Sequence, residues 1–561
     1  MKERQSRLKA IKNLIKNNRI ESQDDLLSLL LKEGFDVTQA TLSRDLKLLK
    51  VGKVPDGQNS YMYALPGEDE NGESEAIYVQ DFLRGYISID FSGNIVVIKT
   101  FPGHANTVCN AIDNLNIVTY TIPIILTSLL QLLFNAADLV VVGRFCGSVS
   151  VAAVGATGAI TNLVVNLFIG LSIGAGVCMA HAMGSRDETA MHRTVHTALP
   201  LALVSGGVLT VVGVAFSETF LIWMGTPEDV LPLSALYMRI YFCGMTFNMV
   251  YNFCAAILRA AGDTQSPLIF LAIAGVINVA LNVLFVMVFH MNVAGVALAT
   301  AISQGVSAAL VVIALMRRTD GCRLQLKKLR FYRAQLGKMI SKGLPAGIQG
   351  SMFSISNVVI QSSINSFGDI FMSGNAAASN IEGFAYVCMN AFHQTALNFV
   401  GQNVGAGQYK RVSRIAGICL GCVTVVGIVV GGAVYGFAPQ LLSIYITDSA
   451  EAIGYGVQRM AYVALPYFLL GLQDVTTGLL RGMGVSLSPM LISVLGICGL
   501  RICWVYTIFQ IPQFHTADGL FVSYPISWGV TFVAQFVLYV MVYRKQAAAY
   551  RKESAEEQNW N

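Results

Sequence analysis

Acidic and amide side chains inside apolar segments are the residues of this chain best suited to chemistry. Asp138 lies well inside a long apolar segment, where an ionised carboxylate is costly unless it faces water or a hydrogen-bonding partner. Asn278 and Asn282 are one helical turn apart in a later apolar segment, and Thr300 lies in the next one. If these segments pack together, the four side chains form an oxygen-lined pocket that suits a proton or a small cation.

Other ionisable groups within apolar segments are weaker candidates. Glu382 is a second acid in such a segment, and we expect it to face a cavity; Asp474 is a further acid of the same kind. His181 and His393 are interpreted as packing residues with hydrogen-bond partners. The eleven cysteines are scattered, and we assign them no redox, metal or catalytic role.

A different kind of chemistry is indicated near the N-terminus. A helix that opens at Thr38 places polar side chains on one side and leucines on the other, as a DNA-recognition helix does. Residues 1–53 carry 12 basic and 7 acidic side chains, whereas residues 54–115 carry 2 and 9, so only the first segment favours DNA. The candidate DNA contacts are Gln39, Ser43, Arg44, Lys47, Lys50 and Lys53.

Local signals around this helix predict a winged helix-turn-helix. Ser22 is positioned to cap a helix that runs to Lys32 and is broken by Gly34. After the recognition helix, two short strands at residues 51–54 and 60–65 flank a Pro-Asp-Gly turn at 55–57. These strands form the wing.

The rest of the chain has the composition of a membrane protein. Over the whole chain 54% of residues are hydrophobic and 13% are charged, and no secretory signal peptide is recognisable. From residue 117 to 543 we predict twelve transmembrane helices, the fourth over 231–257 and the tenth over 453–479. Basic residues concentrate between the sixth and seventh spans, which puts that loop and both termini in the cytoplasm.

The membrane part is an internal repeat. A Leu-Arg-x-x-Gly pattern at residues 258–262 returns at 480–484, an offset of 222 residues, and Pro123 and Pro345 have the same offset. Gly184 and Gly405 are 221 residues apart. Two six-helix lobes of equal orientation follow, with a substrate route at their interface that suits alternating access. A channel or a membrane-bound enzyme would not need this duplication.

Several segments of the membrane part carry a family resemblance. They are Asn-Ala-Ala-Asp at 135–138, Gly-Leu-Ser-Ile-Gly-Ala at 170–175 and Gly-Gln-Asn-Val-Gly-Ala-Gly at 401–407. With these, residues 117–545 resemble the multidrug and toxic compound extrusion family. The resemblance implies export of cationic or amphiphilic organic compounds in exchange for H⁺ or Na⁺, with no enzymatic activity and no cofactor.

By the same resemblance Asp138 matches the family's cation-coupling aspartate. Asn278, Asn282 and Thr300 are its expected companions from their positions in the spans, and Glu382 is a second, separate candidate for cation coupling. The family often has Asp at position 282. Asn282 removes that negative charge, which argues against tight Na⁺ binding and leaves protonation of Asp138 as the simpler coupling event.

The alternative within this superfamily is a flippase of lipid-linked saccharides, which would carry cationic residues in its central cavity. No such cluster is evident within the predicted spans. Arg239 and Arg459 are expected near the outer ends of the fourth and tenth spans, where their side chains would snorkel towards water.

The N-terminal part resembles bacterial arginine repressors. Residues 39–45 and 48–54 are similar to the DNA-binding domain, and residues 93–100 and 102–106 to the start of the arginine-binding domain. Asn106 and Asp113 match positions that face arginine, but the acidic segment that completes the family's ligand site is missing, so arginine binding is not expected. Both residues are interpreted as part of a solvated helix face. Two alternatives stay open: an evolved membrane-tethered transcription regulator, and a joining without function, by a gene-prediction or assembly artefact or by a chance fusion.

We therefore expect an all-α polytopic membrane protein with twelve transmembrane helices, located in a bacterial inner membrane behind a small winged helix-turn-helix domain. Its expected partners are small organic cations or amphiphiles, the lipid bilayer and duplex DNA. The expected domains are 1–66 (winged helix-turn-helix), 67–76 (acidic linker), 77–115 (truncated repressor segment), 117–316 (first lobe), 317–342 (basic loop), 343–545 (second lobe) and 546–561 (tail).

Overall fold

The structure is a computed structural model that describes the backbone of residues 10–11, 14, 20, 22–35, 37–48, 52–55, 61–64, 86–92, 95–100, 105–446 and 449–560. The chain divides into two compact units, Met1–Asn116 and Ile117–Asn561. Each unit is described by itself.

The N-terminal unit contains the expected helix-turn-helix. Helix α1 spans Gln23–Lys32 and α2 spans Gln39–Leu48. Ser22 caps α1 reciprocally, because the Asp25 amide donates to its hydroxyl at 3.0 Å and the Ser22 amide donates to the Asp25 carboxylate at 3.2 Å. Gly34 then turns the chain with a φ of +88°, a conformation that glycine adopts without strain.

Leucines from both helices form the core of this unit. Leu26 and Leu30 of α1 and Leu42 and Leu46 of α2 are buried together. The wing is an antiparallel pair of strands, β1 (Gly52–Pro55) and β2 (Tyr61–Ala64), and a second hairpin follows, β3 (Tyr86–Ser92) with β4 (Ile95–Thr100). The winged helix-turn-helix prediction is confirmed. The acidic linker and the turn residues 56–57 lie outside the described residues.

The described residues of the second unit form helices joined by loops, without strands. Its α-helices are α3 (Ala105–Phe145, which begins in the first unit), α4 (Ser148–Gly184), α5 (Glu188–Trp223), α6 (Leu231–Cys243), α7 (Met245–Ala260), α8 (Gln265–Val283), α9 (Asn292–Arg317), α10 (Arg333–Asn365), α11 (Asp369–Gly405), α12 (Tyr409–Gly436), α13 (Ala438–Ser443), α14 (Ala450–Val463), α15 (Tyr467–Gly482), α16 (Leu487–Ser493), α17 (Leu500–Tyr506), α18 (Ala517–Phe521) and α19 (Ser523–Trp560).

These helices build the twelve expected spans. Within the described residues, eight helical segments are long and apolar enough to cross a bilayer, and the bent pairs α6–α7 and α14–α15 raise the number to ten. Helices α10 and α11 have the length of a span but a more polar composition, and they supply the seventh and eighth spans. The all-α, two-lobe membrane fold is confirmed.

Some element boundaries differ from the sequence prediction. The fourth and tenth spans are each broken, with bends of 44° and 46°. The second break includes Pro466, which lacks an amide donor, and the first lies at Gly244, whose α-carbon faces the backbone of Ala301. The helix α10 already begins at Arg333, inside the expected basic loop, and α19 continues to Trp560, so the expected tail is helical.

Glycines bring the two lobes into backbone contact. Gly170 and Gly174 of α4 lie against Gly343 and Gly347 of α10, so that a β-carbon on any of them would meet backbone atoms of the opposite helix. Gly184 and Gly405, which occupy equivalent positions of the repeat, also make backbone contacts between the lobes. Gly184 packs against the end of α11, and Gly405 packs against the end of α4. These contacts lie towards the end of the unit that carries the basic loop between α9 and α10, which we call the basic end.

Candidate functional site

Asp138 is the centre of a hydrogen-bonded cluster in the first lobe. It lies on α3, and its side chain meets Asn282 and Asn278 from α8 and Thr300 from α9. The Asn282 amide donates to Asp138 Oδ1 at 2.5 Å, and the Thr300 hydroxyl donates to Asp138 Oδ2 at 3.1 Å. Asn282 also donates to Asn278 Oδ1 at 3.1 Å, and Asn278 donates to Thr300 at 3.3 Å. The structure therefore brings together all four residues that the sequence placed in one pocket.

The partners of Asp138 are all neutral. Asp138 is 8% exposed and Asn282 is fully buried, and no arginine, lysine or histidine among the described residues forms an ion pair with Asp138. The Asn282 Oδ1 atom is buried without a hydrogen-bond partner. Beside the cluster lies a cavity of about 330 Å³, which Asp138, Asn278, Thr300 and Tyr241 line together with other side chains. This cavity is called the Asp138 pocket.

A second cavity lies between the two lobes. Its volume is about 290 Å³, and it is lined by α3, α4 and α7 of the first lobe and by α10, α11 and α15 of the second. This space is called the central cavity. Four side chains border both cavities, namely Gln131, Ile169, Tyr251 and Asn252. The central cavity and the Asp138 pocket therefore adjoin and share part of their walls.

The central cavity contains charged groups that the sequence interpretation missed. Arg259 of α7, Arg481 of α15 and Asp474 of α15 all line it. The expectation that no cationic cluster lies within the membrane part was wrong. Both arginines fell just beyond the predicted fourth and tenth spans, which in the structure continue to Ala260 and Gly482. Their shared place in the repeated Leu-Arg-x-x-Gly pattern was the available signal.

His393 joins two of these groups. Its Nδ1–H donates to the backbone carbonyl of Asp474 at 2.6 Å, which leaves Nε2 as the acceptor facing Arg481 at 3.5 Å. The second amino group of Arg481 donates to Gln349 at 2.9 Å. His393 was interpreted as a packing residue, and the structure adds that it contacts and positions Arg481.

Glu382 lies away from both cavities. Its carboxylate forms a buried ion pair with Arg459, with distances of 3.0 and 2.7 Å, and Arg459 also donates to Asn375 at 2.6 Å. Arg459 is only 5% exposed, so the interpretation that it snorkels towards water was wrong. Arg239, in contrast, is exposed and paired with Glu218. A role of Glu382 in cation coupling stays a prediction, and its pairing makes that role less direct than the role of Asp138.

A third polar cluster closes the basic end. His181 of α4 donates from Nε2 to the carbonyl oxygen of Gly482 on α15 at 2.6 Å, and Lys342 of α10 donates to His181 Nδ1 at 3.3 Å. Gln402 of α11 donates to the carbonyl oxygen of Ala260 on α7 at 2.7 Å. Each of these bonds joins one lobe to the other.

Of the six candidate DNA contacts, only two have described side chains. Gln39 is exposed and donates to Asp24 at 3.2 Å, and Ser43 is half-buried on the same helix. The side chains of Arg44, Lys47 and Lys53, and all of Lys50, lie outside the described residues, as does the side chain of Asn106. Asp113 is 5% exposed, so the interpretation that it belongs to a solvated helix face was wrong.

Twelve spans in two related lobes around a shared cavity define a membrane transporter built from two halves. Comparison with known proteins gives the family. The MatE family model matches residues 123–284 and 345–507, together more than half of the chain, and so the chain belongs to this family of transporters. Residues 2–71 match the arginine repressor DNA-binding domain, and residues 82–121 match the arginine repressor C-terminal domain.

Individual relatives agree with both assignments. The chain is 26% identical over 435 residues to the probable multidrug resistance protein YoeA of Bacillus subtilis, an alignment that covers 76% of this chain and 93% of the relative. It is 47% identical over 116 residues to the arginine repressor of Bacteroides thetaiotaomicron, covering 20% of this chain and 74% of that repressor. The fold is similar to the bent form of the Vibrio cholerae MATE transporter VcmN, with a TM-score of 0.71 and 20% identity over 79% of this chain and 99% of VcmN.

Proposed function

We propose that the chain is a secondary active antiporter that exports cationic or amphiphilic small organic compounds from the cytoplasm in exchange for H⁺. The observation that carries the proposal is the buried Asp138 with only neutral partners. Such a cluster carries a charge of minus one when Asp138 is ionised and none when it is protonated. A proton therefore changes the charge of the pocket without any other ion.

The cluster can couple this charge to conformation. Its hydrogen bonds tie α3 to α8 and α9, and the ionised carboxylate accepts from both Asn282 and Thr300. When the carboxyl is protonated, one of its oxygens becomes a hydroxyl that donates a hydrogen bond, so the bond that this oxygen accepted is weakened. The two protonation states therefore favour different packing of α3, which is the differential interaction that a two-state transporter requires.

The contacts between the two lobes at the basic end fit an exporter. Interlobe hydrogen bonds from His181 and Gln402 and the glycine contacts of α4 with α10 close the path towards the basic end. With the basic end in the cytoplasm of a bacterial inner membrane, as the positive-inside rule favours, these contacts support an outward-facing state. In it, the central cavity can release its ligand and Asp138 can take up an external proton. The name of the YoeA relative supports multidrug compounds as the substrates.

One observation favours Na⁺ as the alternative coupling ion. The Asn282 Oδ1 atom is buried without a partner beside Asp138, and carbonyl and carboxylate oxygens are suitable ligands for a small cation. A single carboxylate neutralises a single Na⁺. The experiment below separates the two ions.

The test uses the full-length chain in proteoliposomes with a cationic dye and separately imposed H⁺ and Na⁺ gradients. We expect a proton gradient alone to drive dye movement, and Asp138→Asn to abolish driven movement while dye binding stays within about twofold of wild type. Asp369→Asn, at an exposed acid outside both cavities, is the matched control and should transport normally. Wild-type rates from Asp138→Asn would remove Asp138 from the mechanism, and transport driven by Na⁺ alone would replace H⁺ by Na⁺.

The N-terminal unit carries a second proposed activity. Its winged helix-turn-helix and its match to arginine repressors support weak binding of duplex DNA. We propose that Gln39, Ser43 and Arg44 face the major groove and that Lys47, Lys50 and Lys53 contact phosphates. Fluorescence anisotropy of a labelled operator-like duplex with the full chain in detergent tests this. Replacing Arg44 and Lys47 by Ala should weaken binding, and equal binding by that variant would refute the assignment.

A further inference from the structure

The central cavity contains one arginine from each lobe at equivalent positions of the repeat. Arg259 lies at the last turn of α7 and Arg481 at the last turn of α15, 222 residues later. Both belong to the Leu-Arg-x-x-Gly pattern, and both border the same cavity. The duplication therefore presents two guanidinium groups to one ligand space, one from each half.

Arg481 is buried and forms no ion pair with a carboxylate among the described residues. It is 5% exposed, it donates to the neutral side chains of Gln349 and His393, and its Nε atom has no partner among the described residues. Arginine keeps its charge in proteins, and a buried charge without compensation is costly. Asp474 lines the same cavity but forms no ion pair with Arg481, and one of its own oxygens is buried without a partner.

Two other buried arginines of the same lobe show how this chain compensates such a charge. Arg459 is paired with Glu382 at 2.7 Å. Arg501 lies 4.1 Å from the centre of the Tyr524 ring and donates to Ser527 at 2.8 Å. Among the described residues Arg481 has neither a carboxylate nor an aromatic ring as partner. The difference is that Arg481 faces a cavity.

Arg259, on the first-lobe side of the central cavity, also lacks an ion-pair partner among the described residues. Its side chain is half-buried and makes no ion pair or hydrogen bond with any described residue, although its backbone carbonyl accepts a bond from Tyr120 at 2.6 Å. The tyrosine therefore fixes the backbone and leaves the guanidinium available. The charged side chains that line the cavity are Arg259, Arg481 and Asp474, so their net charge is positive.

We infer that Arg259 and Arg481 form an anion-binding subsite and that the exported compounds include zwitterions, whose acidic group binds these arginines and whose basic group binds Asp474. This inference rests on the proposed export function and specifies the substrate class of the same cavity. Asp474 and Arg481 are seven residues apart on one helix, which places them about 10 Å apart along its axis. The acidic and basic groups of the ligand should be separated by a comparable distance.

The test uses two dyes that differ only in the acidic group, a zwitterionic diaminorhodamine with a free carboxylate and its methyl ester. Binding to the detergent-solubilised full-length protein is measured by fluorescence polarisation, which does not require transport. We expect the wild type to bind the carboxylate dye more tightly than the ester. Arg481→Gln should weaken binding of the carboxylate dye at least about tenfold and leave the ester nearly unchanged, because only the acid loses a charge-assisted contact.

The controls separate recognition from folding. Arg239→Gln removes an exposed arginine outside the cavity and should change neither affinity. Arg259→Gln is a second, independent variant expected to act in the same direction as Arg481→Gln, and Arg481→Lys should restore part of the affinity. Equal affinities of the wild type for the two dyes, or an equal loss for both dyes in Arg481→Gln and Arg259→Gln, would overturn the inference.

The two proposals can fail separately. Export of both dyes under a proton gradient, with no preference and no effect of the arginine variants, would leave the proposed function intact and refute the subsite. An arginine-dependent preference for the acid in binding, with no gradient-driven movement of either dye, would support the subsite and refute the antiport function.

Discussion

Replacement of Gly170 by Ala should shift the transporter away from the state in which the basic end is closed. A β-carbon at this position would meet the amide nitrogen and α-carbon of Gly347 and lie 2.8 Å from the carbonyl oxygen of Gly343. All three are backbone atoms, so no side chain can rotate away. The helices α4 and α10 must separate to accommodate the methyl group.

The magnitude follows from the cost of overpacking, which is about 1–3 kcal/mol for one inserted methylene-sized group. The cost applies only to the closed state, because separation of α4 and α10 removes the clash. Since 1.4 kcal/mol is tenfold in an equilibrium constant, the ratio of closed to open molecules should fall by about 5- to 150-fold.

The assay is a distance measurement by pulsed electron resonance between spin labels at Ser185 and Gln408, exposed positions after α4 and α11 at the basic end. The exposed Cys243 and Cys503 are first replaced by Ser. The wild type should give mainly a short distance, and Gly170→Ala should add a longer population.

Gly207→Ala is the matched control, because a β-carbon there meets nothing within 4 Å. It shares the gain in helix propensity of about 1 kcal/mol that accompanies Gly→Ala. An unchanged distance distribution in Gly170→Ala, or the same change in Gly207→Ala, would refute the assignment of this glycine contact as a closing contact.

Four further predictions concern other parts of the chain. Asn282→Asp adds a second carboxylate beside Asp138 and should increase the Na⁺ dependence of dye export; no change in vesicles with imposed Na⁺ gradients would contradict this. Glu382→Gln leaves the buried Arg459 without a countercharge and should lower the free energy of unfolding by about 3–5 kcal/mol. The control Glu218→Gln breaks an exposed ion pair and should lower it by less than about 1 kcal/mol, with both measured by thermal unfolding. Residues 1–116 should bind DNA equally with and without arginine; tightening by arginine in fluorescence anisotropy would be the contrary result. Arg318 holds the pKa of Asp320 below its ordinary value. This pair therefore stabilises the fold at pH values above the unfolded-state pKa of Asp320, and the stabilisation is lost as pH falls through the folded-state pKa. Asp320→Asn should lower the free energy of unfolding by less than about 1 kcal/mol at neutral pH and should not change it in acid.

The membrane fold could be predicted because its signals are local or repeated. The length of each apolar segment and the repeated Pro and Gly positions require only the sequence. The cluster around Asp138 could be predicted for a similar reason. The spacing of Asn278 and Asn282 places both amides on one face of α8, and family resemblance supplied the pairing with α3 and α9.

The charged groups of the central cavity could not be found in this way. Whether Arg259 and Arg481 end a span or line a cavity depends on how α7 and α15, each of which follows a bend in its span, pack against the other helices. Glu382 and Arg459 present the same difficulty. Their pairing across α11 and α14 turns two apparently separate charges into one buried ion pair, and it depends on tertiary contacts 77 residues apart in sequence.

Asp138 and Asp474 lie inside spans and form no ion pair among the described residues, but they are in different lobes and in different surroundings. Asp138 is held by hydrogen bonds from neutral groups in a pocket whose charge a proton can change. Asp474 lies in a cavity that also contains two arginines, and one of its oxygens is free to accept a donor. Gln131 and Tyr251 border both spaces, so the movement of α3 that we propose on protonation of Asp138 would alter the wall of the central cavity. Coupling between ion and substrate then needs no shared binding residue, since one helix contributes to both sites.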